Sequence, residues 1–74
     1  MTKLARVTAM QIIKVLEKRD FKLSRQSGSH KIYKDNRGKR VTVPYHAGKI
    51  LHPKLLKSIL SDAEISEDEL TQSL

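Results

Sequence analysis

Apolar residues at Ala9, Ile12, Ile13 and Leu16 fall at i, i+3, i+4 and i+7, the spacing that lines up one stripe along an α-helix. Ahead of the stripe, Thr8 and Gln11 have the offset of a capping box. Val7 and Ile12 have that of a hydrophobic staple, which fixes the angle at which the chain joins the helix. After the charged stretch 17–20 the period shortens to two. Phe21 and Leu23 alternate with Lys22 and Ser24, and their shared parity assigns Phe21 to the core. Gln26-Ser27-Gly28-Ser29 predicts a turn, residues 30–34 a second strand, and Asp35-Asn36-Arg37-Gly38 a hairpin loop in which glycine can take a left-handed position. Residues 40–43, β-branched at Val41, Thr42 and Val43, predict a third strand whose ladder Pro44 ends. A second stripe, Leu56, Ile59, Leu60 and Ala63, predicts a helix opened by Pro53 at its first position. Ile65, Ser66, Glu69 and Leu70 then repeat the box and staple of the first helix, with Glu67, Asp68 and Glu69 placed to complement its dipole.

The order α-β-β-β-α with a short C-terminal helix predicts an α+β fold of two layers, an antiparallel meander with the helices on one side. A chain of 74 residues buries only about 60% of the surface its unfolded form exposes, so one modest core and a single domain over residues 1–74 are expected. No apolar run exceeds three residues, against the ~20 that cross a bilayer. No long apolar stretch follows Lys3 and Arg6 as a signal peptide requires, and the expected location is the cytoplasm. The absence of cysteine removes disulfides, thiolate nucleophiles and Cys-based zinc sites.

Charge changes the picture more than composition does. The net +7 is the difference of two unequal parts: residues 1–57 carry all 15 basic side chains and 3 acidic ones, and residues 58–74 carry 5 acidic side chains and no basic one. A body at +12 beside a tail at −5 has the footprint of a polyanion binder, because neutralising phosphates releases counterions. Membrane-surface attachment or simple solubility are the weaker readings of the same charge.

Three segments carry a resemblance. Gly28-Ser29-His30-Lys31-Ile32-Tyr33, then Asp35-Asn36-Arg37-Gly38-Lys39-Arg40-Val41-Thr42-Val43-Pro44-Tyr45-His46, then Leu56-Lys57-Ser58-Ile59-Leu60 followed by Ile65-Ser66, closely resemble the HicA family of messenger-RNA interferase toxins. The resemblance runs from about Thr8 to the end, and its specific part is Gly-Ser-His joined to the later Val-Pro-x-His. It implies a fold of the double-stranded-RNA-binding-domain type, a messenger-RNA substrate, no cofactor, and neutralisation by a HicB-like antitoxin that covers the basic surface around His30. It also implies that His30 is the catalytic histidine, with Gly28 and Ser29 shaping the turn that presents it. One departure is His52-Pro53-Lys54-Leu55, where the family has a Lys-Pro-Gly-Thr-like run.

The chemistry suits so small a chain. RNA brings its own nucleophile, the 2′-hydroxyl beside each phosphate, so an enzyme has only to move protons and stabilise charge on the phosphoryl oxygens. Imidazole titrates near neutral pH and can do the first, a service worth about 10² to 10⁴ in rate, while lysine and arginine do the second. Lys31, Lys39 and Arg40 are candidates for phosphate contacts from their strand and hairpin positions. His46 matches the Pro-x-His position and orients substrate, shares acid–base work with His30, or caps the loop before the second helix. His52, beside Pro53, reads as a residue that starts that helix. Histidine spacings of 16 and 6 residues match no zinc pattern, and no metal is expected.

Strand parity raises an objection to His30. It places His30 with Ile32 on the apolar side, facing the helices, where a histidine reads as a hydrogen-bonded rim residue; the strand's open beginning and the Gly28 turn can break the alternation. The same parity sends Tyr33 to the open face with Lys31 and Asp35, to stack a base, meet a partner or shield the surface. Phe21, Tyr33 and Tyr45 are too few for a single-strand stacking platform. Two other functions fit the same residues: a non-catalytic RNA-binding module, which would not need Gly28-Ser29-His30, and a protein-interaction domain centred on residues 64–74.

Overall fold

A computed structural model describes residues 6–46 and 48–74 of the chain; the N-terminal expectation around Lys3 lies outside them. The elements are α1 (Ala9–Lys18), β1 (Lys22–Ser27), β2 (His30–Lys34), β3 (Arg40–Pro44), α2 (Pro53–Ala63) and α3 (Glu67–Ser73). This is the predicted α+β order, with the strands in one antiparallel sheet in the sequence β1-β2-β3.

Local chemistry sets the helix ends. At α1 the Thr8 hydroxyl accepts the Gln11 backbone N–H while the Gln11 side chain accepts the Thr8 N–H at 2.9 Å. At α3 Ser66 and Glu69 make the same reciprocal pair, both bonds 3.1 Å. α2 begins with His52 as its N-cap and Pro53 at the first turn, where a missing N–H costs nothing. The predicted stripes are buried, Val15 joins them, and the members of both staples, Val7 and Ile12, Ile65 and Leu70, are all nearly or fully buried in the same core.

The helices cover the sheet unevenly, packing chiefly on β3. Val41 and Val43 are fully buried, and with Phe21 and Tyr33 they join the helix stripes in one core. β1 is exposed along its whole length. Of the alternating pair, Phe21 is buried and Leu23 is not. Leu23 lies across from Tyr33 on the helix side but stays 49% exposed, on the strand farthest from the one the helices chiefly cover. The turn also differs: β1 runs on to Ser27, and only Gly28 and Ser29 form the loop.

Parity in β2 is opposite to the expectation. Tyr33 is 3% exposed and pairs with Val41, whereas Ile32 is half-buried and pairs with Thr42. The two tight hairpins set this register. Thr42 lies between two buried valines, so whatever stands across from it must face outward. His30, of the same parity as Ile32, is therefore on the open face and exposed.

Candidate functional site

The open face is a grid of three cross-strand rows. Lys22, Lys34 and Arg40 form one; Arg25, Ile32 and Thr42 the next; Ser27, His30 and Pro44 the third. Four of these side chains are cations and none is acidic. Lys22, Arg25 and Lys34 were not singled out from the sequence. An extra residue, Ser24, forms a bulge between Leu23 and Arg25 and shifts the face on which Arg25 appears. Lys22 and Arg25, three apart beside the exposed Lys34, were the available signal.

Backbone geometry brings the two halves of the Gly-Ser-His and Val-Pro-x-His pattern together. Gly28 holds φ +58 at the first position of a two-residue hairpin loop, which glycine does without strain. The Tyr45 N–H donates to the Ser29 carbonyl at 2.6 Å. By ladder alternation His30 and Pro44 then form a non-hydrogen-bonded pair, where cross-strand side chains come closest and where proline loses no ladder bond to β2. His46, two residues beyond Pro44, is exposed at the same end of the sheet.

The remaining candidates lie elsewhere. Arg40 is on the open face in the row farthest from His30. Lys31 has the parity of Tyr33 and turns to the helix side, its Nζ 4.3 Å from the centre of the Tyr45 ring, a cation–π contact that braces the segment bonded to Ser29. Lys39 leaves the sheet and pairs with Glu64 at 2.6 Å. His52 uses Nδ1 to accept the Lys54 N–H at 3.1 Å, as its position before Pro53 led us to expect.

Three acids, Asp35, Glu64 and Glu69, are held on the helix side and in the loops. Lys39 bonds Glu64 and adds its charge, holding that carboxyl below the usual range. The Ser66 backbone N–H, then Arg19 at 2.6 Å, do the same for Glu69. Asp35, its side chain 4% exposed, is pushed up by burial, but the backbone N–H groups of Lys39 and Arg37 outweigh this and leave it lowered. Its carboxylate thereby closes the β2–β3 loop, in which Gly38 sits at φ +86. Burial raises the Tyr33 phenol, with a smaller push from Glu17.

Among the described residues no group of three His, Cys, Asp or Glu side chains is placed to hold a metal ion, and no helix is long and apolar enough to cross a membrane. No curated protein is similar enough to the chain to count as a match. One family's sequence model does match, over residues 9–65, which takes in α1, the sheet and α2 and stops short of α3; its description is the HicA toxin of bacterial toxin–antitoxin systems. The fold, the juxtaposed Gly28-Ser29-His30 and Pro44-Tyr45-His46 segments and this match agree, and the chain belongs to the HicA toxin family.

Proposed function

We propose that residues 1–74 act as one toxin domain, a metal-independent endoribonuclease that cuts messenger RNA in the cytoplasm and so blocks translation. The observation that carries this reading is the exposed His30 on a sheet face bearing four cations and no acid. A strand lying across that face sets a phosphate near the imidazole. His30 takes the 2′-OH proton, the 2′-oxygen attacks the phosphorus, and the 5′-oxygen leaves with a proton from an acid or water. Gly28 and Ser29 hold the turn. Arg25, Lys34, Lys22 and Arg40 take phosphates and offset the charge that develops on the phosphoryl oxygens. His46 is the candidate second acid–base group. Lys31 supports the site through Tyr45, and Lys39 serves a phosphate only after leaving Glu64. A HicB-like antitoxin would neutralise the toxin by covering the same face, which calls for acidic or shape-matched groups.

The test compares the parent with His30→Ala on a folded messenger RNA in EDTA. Cleavage by the parent and a loss of at least ~10²-fold in the variant, with RNA binding retained, is expected. Binding without cleavage by either protein would sink the reading and leave the non-catalytic module. Cleavage that EDTA abolishes would replace it with a metal mechanism.

A further inference from the structure

His52, the N-cap of α2, lines a groove at the His30 end of the sheet. The groove holds about 160 Å³ and is bounded by Pro44, His46, Ile50, Leu51, His52 and Leu55, with Lys49 at its margin. Its shape is built into the fold. The Leu51 N–H donates to the Val7 carbonyl at 2.8 Å, Ile50 bridges to Thr8, and the Lys49 N–H donates to the His46 carbonyl at 3.1 Å. Leu51 is buried and Leu55 packs against the core, whereas Ile50 is 54% exposed.

Size and chemistry narrow the occupant. The volume is well below the roughly 300–1,000 Å³ of sites for drug-sized ligands, so it suits one planar ring system. Apolar walls, two imidazoles and one ammonium, with no carboxylate, suit an uncharged ring joined to an anion. Because His52 Nδ1 accepts the Lys54 N–H, the neutral ring carries its proton on Nε2, which is left as a donor toward an acceptor on that ring. Position supplies the rest: Pro44 is both a wall of the groove and the residue across the ladder from His30.

We infer that the groove takes an unpaired nucleobase flanking the phosphate presented to His30, with an acceptor on the base edge bonded to His52 Nε2–H, and that it sets the base preference of the toxin. This rests on the ribonuclease reading for the phosphate's place but is tested by binding alone.

All proteins carry His30→Ala so that RNA stays intact. The probes are four single-stranded RNA homo-octamers and an octamer of abasic ribose phosphates. The variants are His52→Asn, which keeps a favoured N-cap while removing the imidazole, and Ile50→Trp, which closes the groove from an exposed position. With only His30→Ala, at least one base-bearing octamer should bind about 10-fold more tightly than the abasic one. In both variants that advantage should fall below about 2-fold, with abasic binding unchanged and the thermal midpoint preserved. Equal base discrimination in all three proteins overturns the inference, as does no advantage of any base over the abasic strand. Normal discrimination by a groove whose parent protein fails to cut RNA would sink the ribonuclease reading alone. No binding of any strand would overturn both.

Discussion

Asp20 and Glu64 end their helices in the left-handed conformation, at φ +68 and +56, where glycine is the default residue. Each sits in a Schellman arrangement. Phe21 and Asp20 donate to the carbonyls of Leu16 and Glu17, and Ile65 and Glu64 to those of Leu60 and Ser61. At Glu64 the carboxylate has a use, since it holds Lys39. At Asp20 the backbone dominates. The left-handed penalty of about 1–2 kcal/mol exceeds the about 0.4–1 kcal/mol that glycine's extra unfolded-state freedom costs. Asp20→Gly is therefore expected to stabilise the protein by ~0.5–1 kcal/mol, read as a higher urea midpoint with an unchanged slope. These helix ends were hard to read from the sequence because neither carries the glycine that marks such a stop. The starts were plain, because Thr8 with Gln11 and Ser66 with Glu69 state the capping chemistry outright.

The strands show where local pattern runs out. Phe21, Val41 and Val43 announce their burial, and the order and pairing of the meander follow from the two loops. The face of β2 does not. Ile32 and Tyr33 are both plausible core residues, and choosing between them requires knowing that Gly28-Ser29 alone makes the first turn and that Tyr33 stands across from Val41. The aliphatic residue was the natural choice, and it was the outward one. That one-residue difference carried His30 with it, since side chains two apart share a face, and so removed the objection to a catalytic role. Mutation can check the assignment. Tyr33→Ala opens a cavity in the core and should cost ~3–5 kcal/mol, whereas Ile32→Ala, at a half-buried site on the open face, should cost ~1 kcal/mol in the same denaturant titration. Comparable losses, or a larger one at Ile32, would restore the opposite register.

At the scale of the whole molecule the fold separates its charges. The acidic C-terminal part turns onto the helix layer, where Glu64 meets Lys39 and Glu69 meets Arg19, and Leu70 anchors α3 in the core. The basic residues on that side are thus partly neutralised, while Lys22, Arg25, Lys34 and Arg40 keep a face without acids. The net +7 is therefore a poor guide to RNA affinity; the count of cations on one face is the relevant quantity. Each phosphate that a single strand gives up to a cation contributes about −0.7 to the slope of log K against log salt, so four such contacts predict a slope near −3. Raising salt from about 50 to 200 mM should then weaken binding of single-stranded RNA about 50-fold, measured by fluorescence anisotropy. Location is tested by paired variants. Arg25→Gln with Lys34→Gln should halve the slope, to about −1.4, whereas Arg19→Gln with Lys39→Gln should leave it near −3. If the RNA lay instead on the helix layer, the second pair would flatten the slope and the first would not, because counterion release reports only those cations that the phosphates touch.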